Sequence, residues 1–370
     1  MGEQQRILSD AERRDWLRLY RSENVGPATF FRLLDRFGTP AKALEMLPGI
    51  ARRGGQNRPL RICGMSEAER ELDALRRLGA RLIASVESDF PKALKPLDTA
   101  PLITVRGRAA LLNTDAVAIV GARNASALGR RMAKGLAIDL GGNGFVVVSG
   151  MARGIDTAAH DGALPTGTIA VLAGGVDNVY PQENRGLYER LCAEGCVISE
   201  MAPGTVPQAT HFPRRNRLIS GLARGIVVVE AAPKSGSLIT ARMALDQGRD
   251  VFAVPGSPFD PRCQGTNGLI KQGAILVETA ADVLDVLSPP GAFRHSSAPA
   301  ETLGTVEPAE GEMSQAREIV IPALSFAPVT VDEIIRQCQL SPAVVSMVLI
   351  ELELAGRLER HSDNRISLLP

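Results

Sequence analysis

Aromatic residues make up only 4% of the 370-residue chain, which holds one tryptophan and three tyrosines. Recognition of bases by stacking needs several such rings, so a nucleic acid held here is gripped mainly by its backbone, with slight sequence preference. An excess of charge of one sign is also missing. At a net charge of +1, attraction for a polyanion has to come from local clusters of arginine rather than from the molecule as a whole. Cys63, Cys192, Cys196, Cys263 and Cys338 form no C-x-x-C pair and have no histidine cluster beside them. That usage excludes a zinc ribbon and fits reduced core thiols. No apolar run approaches the roughly 20 residues that span a bilayer, and the opening MGEQQRILSDAERRDW has no apolar signal core, so a cytoplasmic protein without membrane attachment is expected. The glycine signatures of nucleotide chemistry are absent too. GARNASALG puts Arg123 where G-x-G-x-x-G needs its second glycine, and APKSGSLIT carries its lysine ahead of the glycine, against G-x-x-x-x-G-K-[ST]. Without a serine-nucleophile motif or a metal-ligand cluster, a hydrolase lacks an assembled set of parts, and neither metal nor cofactor is expected.

What the chain does have is an ordinary globular composition, 45% hydrophobic and 22% charged, at a length that implies two or three domains. Between Asp115 and Ala241 one plan recurs: a buried-strand run, a glycine or polar turn, then a helical pattern. DAVAIVGARNAS, FVVVSGMARGIDTAAH, TIAVLAGGVDNVYP, CVISEMAPGT and GIVVVEAAPKSGSLITA all follow it. Repetition of that unit predicts an α/β fold, a doubly wound and mostly parallel sheet of about seven strands, in which ligands sit beyond the carboxyl ends of the strands.

Those ends are basic and hydroxylic. Arg123 and Ser126 follow the first strand and Arg153 the second. Arg214, Arg215, Asn216 and Arg217 are placed in the loop after the fourth, and Lys234, Ser235 and Ser237 follow the fifth. Gly121, Gly150, Gly154 and Gly236 let backbone amides approach a ligand, and helix N-termini behind the turns favour anions. An extended phosphate-bearing ligand fits this set, with arginine forks engaging phosphate oxygens. Phe212 is the aromatic nearest the basic segment, suited either to stacking on a base or to core packing. Asp156 and His160, four residues apart on a helix, are either an acid and base couple or a helix-start carboxylate beside a packed imidazole.

The flanks have their own patterns. Ser9 and Glu12 form a capping box for a helix through Arg21, and a V-G-P turn leads to a second helix bearing Phe30, Phe31, Leu33, Leu34 and Phe37, stopped by Gly38 and Pro40. Pro48-Gly49-Ile50 is expected to start a further hairpin. This region, residues 1–79, resembles a SAM-like helical domain built on a helix-hairpin-helix unit. Its Gly26-Pro27 tip carries no basic side chain, which favours a structural role. Residues 80–287 form the sheet domain, and 288–312, rich in Pro, Ser, Ala, Gly and Glu, read as a linker. Residues 313–370 resemble a winged-helix domain, with caps at Thr330 and Ser341 and a hairpin turning at Asp363-Asn364. Its second helix, SPAVVSMVLIELELAG, is too apolar to read bases, which leaves Arg357, Arg360 and Arg365 as its candidates for phosphate.

Five ordered blocks, IVGARNAS, SGMARGIDTAAHDGAL, FPRRNRLISGLA, KSGSLITARMALDQGRDVFAVPG and GTNGLIKQGA, resemble the signature blocks of the DNA-processing DprA (Smf) family, with likeness running from about Phe90 to Leu287. The resemblance implies a Rossmann-like domain that binds single-stranded DNA, forms a homodimer, protects incoming DNA and loads RecA recombinase during natural transformation, without catalysing a reaction. The competing expectation is a nucleoside-monophosphate hydrolase of the Lonely Guy group, similar in fold, whose P-G-G-x-G-T-x-x-E stretch supplies a catalytic glutamate. Here the comparable turn, PKSGSLITA, has Ala241 at the nearest position.

Overall fold

In the computed structural model, which describes residues 6–55, 58–97, 100–287, 310–361 and 365–369, Ser9 caps helix α1 (Asp10–Arg21) as its spacing implies. Its hydroxyl accepts from the Glu12 amide while the Glu12 carboxylate accepts from the Ser9 amide at 2.9 Å. Helix α2 (Pro27–Phe37) starts on Pro27 and stops at Gly38, where φ is +73°. Phe30 of α2 is fully buried, with the rings of Trp16 and Tyr20 at 5.0 and 5.9 Å. Helix α3 (Pro40–Arg53) corrects the expected second hairpin, because Pro48 lies inside it. Ala43, Leu44, Leu47, Ile50 and Ala51 of α3 are buried, and that apolar face keeps the segment helical despite the missing proline amide.

Helix α4 (Met65–Arg77) ends before Gly79 at φ +65° and leads to strands β1 (Ala80–Ala84) and β2 (Leu102–Gly107). The alternating series then follows: β3 (Ala116–Gly121), α5 (Ala127–Gly142), β4 (Val146–Ser149), α6 (Ile155–Ala163), β5 (Thr168–Val171), α7 (Arg185–Glu194), β6 (Cys196–Ser199), α8 (His211–Leu222), β7 (Gly225–Val229), α9 (Gly236–Asp246), β8 (Asp250–Ala253), α10 (Gln264–Lys271), β9 (Ile275–Leu276) and α11 (Ala280–Leu287). One sheet contains all nine strands in the order β1-β2-β6-β5-β4-β3-β7-β8-β9. The seven from β6 to β9 are parallel, as the repeated plan predicts. β1 and β2 add an antiparallel edge.

Alternation along the strands splits the core into two layers. Val117, Ile119, Val147 and Val227 pack with Ala133, Leu136 and Leu140 of α5 and Ala159 of α6. Ala118, Val120, Val148 and Val228 face the other way, towards Leu218 and Ile219 of α8 and Ala241 of α9. The sheet order reverses between β3 and β7, since β4, β5 and β6 lie on one side of β3 while β7, β8 and β9 lie on the other. A crevice outside the carboxyl ends of β3 and β7 follows from that reversal.

The expected linker lies outside the described residues as far as 309, and its last three positions already belong to helix α12 (Glu310–Ala323), which the sequence pattern did not suggest. Strand β10 (Val329–Thr330), α13 (Val331–Cys338), α14 (Pro342–Leu354), β11 (Leu358–Arg360) and β12 (Arg365–Leu368) complete a winged-helix arrangement with sheet order β10-β12-β11. Thr330 and Ser341 cap α13 and α14 as expected. The Asp363-Asn364 turn lies outside the described residues.

Two compact units result, Met1–Leu8 with Glu69–Phe293, and Ser9–Ala68 with Arg294–Pro370. The second therefore joins both ends of the chain. Buried Glu351 of α14 accepts from Arg53 of α3 at 3.3 Å and from Arg317 of α12 at 2.6 and 2.8 Å. Asn24 donates to the Leu354 carbonyl at 3.0 Å, and a Cβ on Gly54 would stand 1.9 Å from the Glu351 carbonyl, so the two backbones nearly touch. Among the described residues, no single helix is long and apolar enough to cross a membrane.

Candidate nucleic-acid interface

The carboxyl end of β3 needs glycine, since a Cβ on Gly121 would lie 1.9 Å from the Val229 carbonyl of β7. Gly154, at φ +78°, brings the start of α6 against the same turn, 2.4 Å from the Ala122 carbonyl for an added Cβ. Arg123 projects from that turn into solvent. Ser126 does not join it. Its hydroxyl caps α5 by accepting from Gly129 at 2.9 Å, and both its hydroxyl and its amide donate to Glu230. Ser126 thus holds the turn rather than facing a ligand, a correction of the expected contact.

Arg214, Arg215, Asn216 and Arg217 are not in a loop. They occupy the first turns of α8, whose buried face carries Leu218 and Ile219. Helical spacing sends the four side chains in different directions. Arg215 points inward and is 7% exposed. Its Nη1 donates to the Val171 carbonyl at 3.2 Å and passes beneath Gly150, where a Cβ would stand 1.4 Å from it. Asp156 faces the same interior, accepting from the Gly150 and Ala152 amides at 3.2 Å each. Burial raises the Asp156 pKa, against the pull of Arg215 and the two amides. Burial also lowers Arg215 to about 10, with Asp156 opposing, so the guanidinium stays cationic at neutral pH. Arg217 turns instead to Glu200 and forms a largely buried pair, while Arg214 is exposed.

His160 is fully buried, with Nδ1 2.7 Å from the Thr168 hydroxyl, which itself donates to the Val147 carbonyl. Burial, and then Arg215, push it down to about 3, so it is neutral. Asp156 and His160 are therefore engaged separately, one on backbone amides and one on a threonine, rather than as an acid and base couple.

Two joined cavities open at the crevice between β3 and β7. The larger, about 840 Å³, is lined by Gly121, Arg123, Arg215 and Asn216 and by the α9 entrance, Lys234, Ser235, Gly236 and Ser237. The smaller, about 300 Å³, is lined by Gly150, Arg153, Arg123 and Arg215. Arg214, Arg217 and Ser126 line neither. Phe212 lines both, with the Arg123 guanidinium 5.1 Å and the Arg215 guanidinium 5.9 Å from its ring centre. Tyr180, half exposed, meets Phe212 edge to face at 5.9 Å.

Sequence reading missed Tyr180, Asn124 and Arg262 as lining residues. Tyr180 and Arg262 follow strands of the same rim, in VDNVYP and PFDPRCQG, so the strand-end rule that found the others reaches them as well. Ala241 is buried in α9 and offers no acid where a Lonely Guy glutamate would stand. None of the five cysteines, all among the described residues, forms a disulfide, and burial pushes the Cys196 thiol up to about 12. No cluster of three or more His, Cys, Asp or Glu that could hold a metal occurs among the described residues.

Comparison with known proteins agrees with this architecture. The family model for DNA recombination-mediator protein A matches residues 81–288, more than half of the chain. The chain belongs to this family. The DprA-like N-terminal HHH domain matches residues 10–74 and the DprA winged helix domain residues 304–364. DNA processing protein DprA of Bacillus subtilis (strain 168) is 42% identical over 222 residues, covering 59% of this chain and 75% of its own. The X-ray structure of DprA from Streptococcus pneumoniae superimposes with a TM-score of 0.61 at 36% identity, covering 73% of this chain and 95% of that one. A DprA structure from Helicobacter pylori, described for its single-stranded DNA binding mode, gives 0.51 at 30% identity, covering 56% and 95%. The chain is thus a DprA-family recombination mediator with a mostly parallel central sheet and helical and winged-helix flanks.

Proposed function

We propose that this protein is a non-catalytic mediator that binds single-stranded DNA along the β3–β7 rim, protects it, and delivers it to RecA as a cytoplasmic homodimer. The observation that carries the reading is the convergence of Arg123, Arg153, Arg215 and Lys234 on two joined cavities divided by Phe212. An unpaired strand suits that arrangement. Its phosphates meet guanidinium forks and the α9 amides, while one splayed base can lie against Phe212 between the arginines. The single-stranded DNA binding reported for the H. pylori relative supports the same ligand. Arg214 and Arg217 drop out of the contact set, Arg214 because it lines neither cavity and Arg217 because Glu200 holds it.

The test is a salt titration of the full chain against random single-stranded and duplex DNA. Single strands should bind more tightly, and Arg123→Ala should lower affinity about fourfold near 0.15 M salt and reduce the log–log salt slope by about 0.7, the worth of one single-strand phosphate contact. An Arg123→Ala protein with unchanged affinity and slope would remove the site from consideration.

A further inference from the structure

A third depression adjoins the two cavities and is absorbed by neither. It has a volume of about 520 Å³, lies between α5 and α6, and shares Arg153 with the smaller cavity. Arg130, Arg131 and Lys134 of α5 line it. They stand at i, i+1 and i+4, so Arg130 and Arg131 both lie within a turn of Lys134, along the edge of α5 that borders α6 beside buried Ala133 and Ala137. The floor is tight, for a Cβ on Gly162 of α6 would lie 2.5 Å from the Lys134 carbonyl.

Charge in this groove is unbalanced. Its two acids are already matched, Asp161 by Arg190 at 2.9 Å and Glu183 by Arg153 at 2.6 Å. Arg130 donates to the Ala125 carbonyl at 2.7 Å but keeps its charge, and Arg131 and Lys134 are exposed. Of the four cations that line this open furrow, Arg153 is matched by Glu183, which leaves Arg130, Arg131 and Lys134 in excess over its acids where the smaller cavity ends.

We propose that this α5–α6 groove is a second anchoring segment for the same single strand, holding the sugar-phosphate backbone of nucleotides that have passed Arg153. The inference rests on the reading of the β3–β7 rim as the primary site. An open, elongated, cationic furrow continuous with that rim fits a polyanion that extends through it, whereas a small anion would find no enclosure. Base stacking is absent from the furrow, since none of its lining residues is aromatic, so its contribution comes mainly from charge on the backbone. The exposed Arg153–Glu183 pair sits at the junction, where a phosphate can displace the glutamate at little cost because solvent-exposed ion pairs contribute little.

The test compares Arg131→Gln/Lys134→Gln with Arg123→Ala in the full chain, using oligothymidylates of about 6 and about 16 nucleotides, the range of single-strand site sizes. The double variant should bind the longer oligonucleotide about tenfold more weakly, with a salt slope lower by about 1.4, and the shorter one within twofold of the parent. Arg123→Ala should weaken both. Loss of affinity for neither oligonucleotide, or an equal loss for both, in the double variant would overturn the groove proposal. Failure of Arg123→Ala to weaken the short oligonucleotide would instead overturn the primary site. Both substituted residues are surface side chains, and an unchanged thermal midpoint confirms that the fold is intact.

Discussion

At the scale of single residues, the candidate interface differs from an ordinary basic surface in that one of its arginines is inside the protein. Arg215 is buried, with Nη1 on the Val171 carbonyl and its charge felt by Asp156, whereas Arg123 is exposed and lies over the Phe212 ring. Burial, and then the same Arg215 charge, hold the folded pKa of His160 at about 3, below its ordinary 6.5. A histidine depressed on folding stabilises the protein above its unfolded pKa, and that contribution is lost as pH falls from 6.5 towards 3, by about 1.4 kcal/mol per pH unit. Asp156, with a raised pKa, has the opposite sign and offsets part of this loss in acid. His160→Asn should therefore flatten the denaturation midpoint between pH 6.5 and 4 relative to the parent, as followed by urea unfolding at several pH values. Parallel pH profiles would refute the assignment. The sequence placed Arg123 and Arg153 after β3 and β4, but put Arg215 in a loop where the structure has helix α8. It could not say that Arg217 belongs to Glu200 or Ser126 to Glu230, because those partners are 17 and 104 residues away in the chain.

At the scale of elements, strand ends and helix starts are brought into contact by glycine. Gly150 closes β4 directly over the Arg215 guanidinium, with no space for a methyl group. Gly150→Ala should push the guanidinium out of line, costing about 1–3 kcal/mol of stability by overpacking and weakening oligonucleotide binding about fourfold, since one phosphate contact is misplaced. Thermal unfolding and fluorescence anisotropy measure the two effects, and retention of full affinity would mean that Arg215 does not act from where it sits. Helix α8 shows why the basic run was mistaken for a loop. HFPRRNRLISGL has a proline, six polar residues and a weak apolar stripe, and it is helical because Leu218 and Ile219 bury against the sheet. Helix α3 makes the same point at Pro48, where packing outweighs a local breaker. Helix α14 is legible as a helix, but its face is covered within its own unit; Arg360 turns inward to Glu353, while exposed Arg357 donates to the Gly54 carbonyl at 3.5 Å.

At the scale of the whole molecule, the terminal domains belong together. Glu351 ties α14 to α3 and α12, and the only tryptophan, Trp16, is buried in α1 of the same unit. Glu351→Ala strands two guanidiniums that keep some access to water, so a loss of about 3 kcal/mol is expected, at the lower end for a broken buried pair. Trp16 emission should report a lower denaturant midpoint for this variant although the change is more than 300 residues away in sequence. An unmoved Trp16 transition would show that the two ends unfold independently. The residue order itself settled the parallel sheet, the caps at Ser9, Thr330 and Ser341, and the family, because periodicity, capping and motif spacing are properties of short stretches. Tertiary structure alone decided which strands neighbour one another, and so put the crevice between β3 and β7. It also decided which arginines are already paired and joined the two ends of the chain through one buried carboxylate. Those outcomes depend on contacts between segments far apart in the chain, whose closure no local pattern encodes.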